Sequence, residues 1–176
     1  TGGAGYIGSH TALLLLHAGY NVIVLDNLCN SSAISLKRVS EIAKKDHIFI
    51  EGDIRDRSLL AHLFNEHDIE AVFHFAGLKA VEESVREPIN YYDNNLVGTL
   101  TLCEAMLNAE VFRLVFSSSA TVYGEQPNMP CREDMPTSWP TNPYGRTKLM
   151  IESALKDLAI SDNRWWIGLL RYFNPV

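Results

Sequence analysis

The sequence has few cysteines and no long apolar run. Cys29, Cys103 and Cys131 are the only cysteines among its 176 residues. Because they are odd in number and far apart, they predict neither a disulfide framework nor a paired-cysteine metal site. The longest apolar stretches, such as "ALLLLHAGY", fall short of the roughly 20 residues that cross a bilayer, and the N-terminus lacks a signal-peptide pattern. We therefore expect a cytoplasmic protein with no membrane partner.

Positive charge is scarce as well. Fifteen lysines and arginines stand against twenty-one aspartates and glutamates, which gives a formal net charge of -6. This balance disfavours binding to the phosphate backbone of a nucleic acid. The histidines form no His-Glu-x-x-His arrangement, and the spacing of His62 and His67 suits shared metal ligation from one helix face poorly. We expect no metal and no nucleic-acid partner.

Short apolar runs alternate with helical patterns along the chain. The runs that predict strands are "NVIVLD", "HIFIEGD", "AVFHFAG", "FRLVFSSS" and "WWIGLLRYF". Their near-continuous apolar character is typical of strands covered on both faces by helices. The alternation predicts an α/β fold, namely a doubly wound parallel sheet with right-handed crossovers, in one Rossmann-type domain over residues 1–176.

The helical patterns cover about 32–45, 56–66, 88–109 and 143–159. In the third of these, three- and four-residue spacing predicts one buried face, formed by Tyr92, Leu96, Leu100, Cys103 and Leu107. Pro143 suits the first position of the fourth helix. The proline-rich stretch before it, which begins at Glu125, predicts a surface loop.

The opening "TGGAGYIGSH" spaces Gly2, Gly5 and Gly8 three residues apart. Such a run fits a turn whose backbone N–H groups and helix N-terminus bind a pyrophosphate, although an ordinary turn also uses glycines. Asp26 ends the next predicted strand, close to the roughly 20-residue separation expected of an acid that binds the adenosine ribose. Its charge would repel a 2′-phosphate. The pattern therefore predicts NAD rather than NADP as the cofactor.

Further polar residues follow the later strands. Asp53 ends "FIEGD" and either approaches the adenine edge or caps the helix that follows. Ser118 and Ser119 follow a strand at the carboxyl edge of the sheet, where open α/β sheets bind ligands, and either one would reach a reacting oxygen. A cluster of serines after a strand also fits an ordinary turn or cap.

"PYGRTK" puts Tyr144 and Lys148 four residues apart near a helix start, so both project from one face. A tyrosine hydroxyl titrates near 10 and is a poor base at neutral pH. We expect the Lys148 ammonium, together with a positive nicotinamide ring, to lower the pKa of Tyr144 and favour its phenolate.

Together with these motifs, "VLDNLCNSS", "GDIRD", "HFAGLKAVEES", "YYDNN" and "LLRYFNPV" resemble the extended short-chain dehydrogenase/reductase family from residue 1 to residue 176. "FAGLKAV", "YYDNN" and "RYFNPV" are similar to its branch that inverts C4 of UDP-hexoses. The resemblance covers the cofactor half of that enzyme. It implies a strand before Thr1 and a substrate-binding part after Val176, and hence that the 176-residue polypeptide alone is inactive and poorly soluble.

The resemblance also implies the site residues. The implied catalytic group is Ser119, Tyr144 and Lys148. These three are also expected at the cofactor, whose further contacts are Gly2, Gly5, Tyr6, Ile7, Gly8, Asp26, Asn27, Asn30, Ser31, Asp53, Ile54, Phe75, Ala76, Gly77, Lys79, Asn94 and Phe173. The implied substrate contacts are Lys79, Ser119, Tyr144 and Asn174.

The activity implied by the resemblance is interconversion of UDP-galactose and UDP-glucose, with bound NAD taking and returning the C4 hydride through a 4-keto sugar. A 4,6-dehydratase is disfavoured, because Ala120 and Thr121 stand where its pattern has Asp-Glu. A dehydrogenase that releases NADH and an inactive nucleotide-binding module remain alternatives. The family also implies a homodimer through the helices that begin at Pro88 and Pro143, while acceptance of N-acetylated sugars stays open.

Overall fold

The structure is a computed structural model that describes residues 1–125 and 130–175. Residues 126–129, which belong to the predicted proline-rich loop, and residue 176, the last of the predicted domain, lie outside the described residues. Residues 130–142 contain no helix or strand, as expected of the remainder of that loop.

Helices and strands alternate along the described chain. The strands are β1 (Ile23–Asp26), β2 (Ile48–Glu51), β3 (Val72–His74), β4 (Arg113–Ser119) and β5 (Trp166–Tyr172). The helices are α1 (Tyr6–His17), α2 (Ala33–Ala43), α3 (Arg57–Glu66), α4 (Val81–Arg86), α5 (Pro88–Tyr91), α6 (Gly98–Asn108) and α7 (Pro143–Ser161). A π-helical segment (Tyr92–Val97) joins α5 to α6, and a 3-10 helix (Ala120–Tyr123) follows β4.

All strand pairs in the described residues are parallel. β1 pairs with β2, and β4 lies between β3 and β5 in a second sheet. The first residues of the chain lie between the two sheets: Gly2 N–H donates to Leu25 O at 2.8 Å, and Phe75 N–H donates to Thr1 O at 3.0 Å. Helices connect parallel strands throughout, which confirms the predicted α/β architecture with an open parallel sheet.

Local signals in the sequence account for several helix ends. Ser32 caps α2 by accepting from Ile34 N–H, and Asn142 caps α7 by accepting from Gly145 N–H. Asp56 caps α3 by accepting from Ser58 N–H and Leu59 N–H, both at 3.0 Å. The alternative in which Asp53 caps this helix is therefore wrong, because a cap must directly precede the first helical residue.

The helix predicted over residues 88–109 is not uniform. Its middle is the π-helical segment, which accommodates more residues per turn than an α-helix and so rotates the face that follows it. Leu100 and Leu107, predicted to be buried, are 46% and 42% exposed, whereas Leu102 and Met106 are buried. The predicted buried face is thus wrong at Leu100 and Leu107, although Cys103 is buried as expected.

The main core packs α3, α6 and α7 against β3 and β4, with Leu60, Leu102, Leu114, Phe116 and Ile151 almost fully buried. A second cluster joins α1 and α2 to β1. β2 and β5 are only partly buried, so the expected cover on both faces is wrong for these two strands. Within the residues that the structure describes, no helix is long and apolar enough to span a membrane.

Candidate active site

A cavity of about 390 Å³ opens at the carboxyl ends of the strands. It runs from the turn after Gly2, past the end of β1 and the segment after β3, to the ends of β4 and β5. Every residue that the sequence predicts for the site lines this cavity except Ser31 and Asp53. The fold therefore brings together groups from eight separate segments of the chain.

The segment from Gly2 to Gly8, here called the glycine turn, packs its backbone closely against neighbouring backbone. Gly2 has a φ of +68°, and side chains at Gly2 or Gly8 would meet backbone atoms at 2.3 Å. The first helical bond of α1 joins Ser9 N–H to Gly5 O at 2.9 Å. The N–H groups of Tyr6, Ile7 and Gly8 therefore precede the helical ladder, and no side chain caps them. Such a terminus favours an anion.

Asp26 holds the segments on both sides of the cavity mouth. Its Oδ2 accepts from Ala4 N–H at 2.9 Å, and its Oδ1 accepts from Leu28 N–H at 2.9 Å and from Ser31 Oγ at 2.8 Å. Ser31 thus acts on the cavity through Asp26, although it does not line the wall. The buried carboxylate joins the glycine turn to the 27–31 segment, in which Asn27 and Asn30 line the cavity.

Asp53 also stands behind the cavity wall. Its carboxylate accepts from Asn27 Nδ2 at 3.0 Å and from the Arg55 guanidinium, which in turn contacts Asp93. The hydrogen bonds from Arg55 hold the pKa of Asp53 well below its ordinary value against the opposing effect of burial. Ile54, by contrast, is buried and lines the cavity directly.

Asn95 is a structural residue of the site that the sequence did not single out. Its Oδ1 accepts from Leu78 N–H at 2.8 Å and from Asn94 Nδ2 at 2.9 Å, and its Nδ2 donates to Leu78 O at 2.9 Å. The same Nδ2 donates to Thr147 Oγ1 on α7 at 3.2 Å. The π-helical segment thereby holds in place the 75–79 segment, whose cavity-lining members include Phe75, Ala76, Gly77 and Lys79.

Ser119 is the serine that faces Tyr144. Its side chain is near enough to the Tyr144 hydroxyl to lower the pKa of that group, and its Oγ accepts from Thr121 N–H at 3.3 Å. The Ser118 Oγ instead donates to the buried carboxylate of Glu152 at 2.6 Å, which favours Ser119 of the two alternatives. Alternate residues of a strand point to opposite faces, so only one of the two serines reaches the tyrosine.

The protein groups raise the pKa of Tyr144. Burial raises it, and the neighbouring Ser119 side chain lowers it by less. Lys148 is not among the causes of this shift, so the expected lowering by its ammonium is wrong for the protein groups alone. The Lys148 Nζ instead donates to Ser117 O at 2.7 Å and lies 4.7 Å from the centre of the Phe116 ring.

Burial lowers the pKa of Lys148 from 10.5 to about 8. The ammonium is therefore the main form of this side chain at neutral pH, at a position that is only 5% exposed. An ammonium close to a tyrosine hydroxyl favours loss of the proton from that hydroxyl.

The carboxyl end of β5 closes the cavity. Tyr172, Phe173 and Asn174 line it, and Phe173 is 57% exposed. Lining residues that the sequence did not single out are Leu25, Cys29, Gly52, Leu78, Ser117, Tyr172 and Pro175. Most of them adjoin a predicted residue, so extension of each motif by one position would have found them.

Metal ligands are not gathered at this site. In residues 1–125 and 130–175, no group of three or more His, Cys, Asp or Glu side chains lies close enough together to hold a metal ion. The chemistry that the cavity offers is that of a tyrosine, a serine and a buried lysine next to a helix N-terminus whose N–H groups are uncapped.

Comparison with known proteins gives close matches along the whole chain. The UDP-glucose 4-epimerase of Bacillus subtilis (strain 168) is 59% identical over 175 residues, which are 99% of this chain and 51% of that protein. The UDP-glucose 4-epimerase of Yersinia pestis is 55% identical over 176 residues, which are 100% of this chain and 52% of that protein. The chain spans about half the length of the curated relatives it matches.

Solved structures match equally well. A UDP-glucose 4-epimerase from Bifidobacterium longum, in complex with NAD+ and UDP, has a TM-score of 0.98 and 51% identity over 99% of this chain and 52% of its own. One from Stenotrophomonas maltophila, with bound NAD and formylated UDP-arabinopyranose, has a TM-score of 0.96 and 49% identity over the same shares. The predicted family resemblance and Rossmann-type fold are confirmed.

A family model supports the same assignment independently of any single relative. The model described as GDP-mannose 4,6 dehydratase matches residues 1–175, and the chain belongs to that family.

Proposed function

We propose that the protein carrying these residues interconverts UDP-galactose and UDP-glucose, by transient oxidation at sugar C4 with tightly held NAD. The observation that carries the proposal is the convergence of Ser119, Tyr144 and Lys148 on a cavity that the glycine turn also lines. The names of the relatives from Bacillus subtilis and Yersinia pestis support it. The protein would thus be an isomerase of galactose metabolism.

The residues present fit NAD. Gly2 and Gly8 let the turn pack against neighbouring backbone at distances that no Cβ would permit. The N–H groups of Tyr6 and Ile7 at the start of α1 suit a pyrophosphate. In this proposal Gly5 completes the turn, while Asp26, Asn27, Asn30 and Ser31 hold the adenosine ribose and Asp53 and Ile54 flank the adenine. The NAD found in the Bifidobacterium longum and Stenotrophomonas maltophila structures supports this assignment.

Asp26 favours NAD over NADP. Its buried carboxylate already accepts three hydrogen bonds from Ala4, Leu28 and Ser31. These bonds hold a negative charge beside the site proposed for the ribose. A 2′-phosphate would therefore meet like charge at close range.

The remaining cavity residues divide between cofactor and sugar. Phe75, Ala76, Gly77, Asn94 and Phe173 are proposed to contact NAD, while Asn174 contacts the UDP-sugar. Lys79 serves both ligands, since its exposed side chain stands at the cavity rim next to the segment that Asn95 anchors. The UDP in the Bifidobacterium longum structure supports a nucleotide-sugar substrate.

When bound, NAD supplies a reversible acceptor for the C4 hydride. The chain itself supplies the proton transfer: the Tyr144 Oη takes the proton of the C4 hydroxyl and later returns it to the same oxygen. Ser119, whose side chain stands beside Tyr144, holds the C4 oxygen. Such general-base catalysis typically accelerates a reaction by about 10²–10⁴.

Lys148 and bound ligands together set the state of Tyr144. The protein groups alone leave the pKa of this tyrosine raised, so its phenolate needs added positive charge. The Lys148 ammonium, present below a pH of about 8, and the charge of an oxidised nicotinamide supply it. Proton abstraction is thereby confined to the loaded site.

Two other chemistries are less well supported. Elimination by a 4,6-dehydratase needs a further acid and base, and the positions after Ser119 hold Ala120 and Thr121, which cannot act as carboxylates. Net oxidation with release of NADH uses the same three residues. The product formed from UDP-galactose, an oxidised sugar or UDP-glucose, distinguishes it from epimerisation.

We further propose a homodimer in the cytoplasm. An apolar groove of about 240 Å³ between α6 and α7 includes Leu100, Leu107 and Leu158, and two of these leucines are more than 40% exposed. A covering helix pair from a second copy would bury this groove. The three cysteines, none of which forms a disulfide, fit a reducing compartment.

The test is to incubate the purified protein carrying these residues with UDP-galactose and no added NAD. We expect UDP-glucose to form without net change of absorbance at 340 nm, because the hydride is returned. Tyr144→Phe is the control: it should retain bound NAD and lose at least about 10²-fold in turnover. A reaction that proceeds only with added NAD+ in stoichiometric amount and yields an oxidised sugar would replace the proposal with a dehydrogenase. Failure of both reactions would leave only a nucleotide-binding module.

A further inference from the structure

A buried ion pair stands directly behind the proposed site. The Glu152 carboxylate, fully buried, accepts from Arg171 Nε at 3.0 Å and from Arg171 Nη2 at 2.8 Å, one bond at each oxygen. Ser118 Oγ donates to the same carboxylate at 2.6 Å. Burial would raise the pKa of Glu152, but these hydrogen bonds outweigh burial and hold the pKa below its ordinary value. The carboxylate is therefore ionised.

The members of this pair lie on the segments that carry the proposed catalytic group. Glu152 follows Lys148 by one helical turn on α7. Ser118 directly precedes Ser119 at the end of β4, and Arg171 stands opposite Ser118 in the parallel register of β5. Neither Glu152 nor Arg171 lines the cavity. The pair touches the site only through the backbone and neighbouring side chains.

Arg171 extends the network to a fourth segment. Its Nη1 donates to the Tyr123 hydroxyl at 3.0 Å, and its guanidinium lies 4.8 Å from the centre of the Tyr123 ring. The Tyr123 hydroxyl donates to Arg132 O at 3.0 Å. One guanidinium thus links β5 to α7, to the 3-10 helix after Ser119, and to the chain near Arg132.

A buried ion pair adds little net stability over well-packed apolar residues, and its best-attested use is to specify one arrangement of the chain. Here the arrangement in question is the mutual placement of the ends of α7, β4 and β5. We propose that Glu152 and Arg171 are positioning residues that hold Ser119 against Tyr144 and orient the segment after Tyr172. This inference rests on the proposed function.

Arg171→Lys is the first test, because it keeps the charge and loses the planar fork that bonds both Glu152 oxygens and Tyr123 at once. We expect kcat to fall about 10–100-fold, while the KM for UDP-galactose and the content of bound NAD stay within about threefold. Lys156→Met is the matched control. Its ammonium lies 3.8 Å from the same carboxylate on the solvent side and should leave kcat unchanged within about twofold.

A second readout does not depend on turnover. The ultraviolet difference titration between a protein and its Tyr144→Phe variant isolates the ionisation of Tyr144. Because the neighbouring Ser119 side chain lowers the pKa of Tyr144, displacement of Ser119 in Arg171→Lys should shift this ionisation to higher pH. Lys156→Met should show no such shift.

A double variant, Glu152→Met with Arg171→Met, separates a loss of kcat through altered positioning from a loss through unfolding. Replacement of both partners of a buried ion pair by apolar residues is often tolerated. We expect an unchanged or higher melting temperature with the same loss of kcat. The inference is overturned if the double variant folds and keeps kcat within about threefold of wild type. It is also overturned if both the double variant and Arg171→Lys unfold, because the pair then serves stability alone. A wild-type protein that fails to interconvert the sugars refutes the proposed function instead, and the Tyr144 titration still tests the positioning.

Discussion

Lys148 donates from Nζ to the carbonyl oxygen of Ser117 at 2.7 Å, and so ties the helix that carries Tyr144 to the strand that ends in Ser119. The same contact holds a cation at a position that is 5% exposed. Desolvation of this charge opposes folding, as the lowered pKa of Lys148 records. The lysine therefore destabilises the folded chain, a cost that the proposed role in proton transfer would explain.

Replacement of the lysine should separate these two effects. Between pH 8 and 10.5, the unfolded chain holds a proton on Lys148 that the folded chain has lost, so this group makes stability rise with pH across that window. Below pH 8 both states are protonated, and the folded state bears the full cost, on the order of 3 kcal/mol. Lys148→Met removes this cost but leaves Ser117 O without its donor, which costs about 1 kcal/mol.

We therefore expect Lys148→Met to be about 1–2 kcal/mol more stable than wild type at pH 7, with an advantage that shrinks towards pH 10.5, and to lose turnover. Urea unfolding of the NAD-free proteins at both pH values measures the difference. A variant that is less stable at pH 7, or an advantage that grows with pH, would show that Lys148 is not held in the folded state at this cost.

The glycine turn offers a matched pair of substitutions. A Cβ at Gly8 would stand 2.3 Å from Gly2 O, whereas a Cβ at Gly5 would meet the same oxygen at 3.4 Å, an ordinary contact. Gly8→Ala should lower the free energy of unfolding by about 2–3 kcal/mol, because the backbone must shift. Gly5→Ala should cost less than about 1 kcal/mol. Thermal unfolding of both variants tests the difference. Equal losses of unfolding free energy would mean that the backbone of the turn can shift to accommodate a Cβ at Gly8.

Asp26→Asn should weaken cofactor binding through the loss of one acceptor. The amide NH₂ of an asparagine that keeps its oxygen towards Leu28 and Ser31 would face Ala4 N–H, so two donors would meet. An unsatisfied buried donor costs about 1–3 kcal/mol. We expect a 10–100-fold rise in the dissociation constant for NAD and weaker discrimination against NADP, measured by calorimetry on stripped protein. Unchanged affinities for both cofactors would exclude Asp26 from the ribose site.

Leu107→Asp tests the proposed homodimer. The side chain lines the α6–α7 groove, where a second copy would remove a carboxylate from water at a cost of about 2–4 kcal/mol. Sedimentation equilibrium should show a dissociation constant at least about 30-fold higher than that of wild type. Ile42→Asp on α2, at a position that is 60% exposed and outside the groove, should have no effect. If Leu107→Asp dimerises as wild type does, the interface lies elsewhere.

Short-range signals in the sequence predicted much of the fold. Ser32 and Pro143 mark helix starts within a residue of the observed ones, and the apolar runs predicted all five strands of the described chain. The cavity brings together most of the predicted residues because parallel strands end at one edge of a sheet. The helix starts and strands follow from local sequence patterns, and the position of the site follows from the general architecture of open parallel sheets.

Features that depend on tertiary contacts were not predicted. The π-helical turn before Gly98 exposes Leu100 and Leu107, and no period in the sequence shows where such a turn falls. The pairing of Glu152 with Arg171 joins a helix to a strand across 19 residues of sequence. A single charged residue in an apolar stretch does not show which residue it will pair with. Burial, likewise known only from the fold, is what raises the pKa of Tyr144.

The central claim is that the C4 hydride leaves the sugar and returns to it within one site. UDP-galactose that carries deuterium at C4 tests this most directly, with mass spectrometry and NMR of the UDP-glucose formed by the protein. We predict that the product retains the deuterium at C4, in ordinary water and without added NAD. Loss of the label to solvent, or a reaction that proceeds only with added NAD+ and releases the label in stoichiometric NADH, would contradict the account.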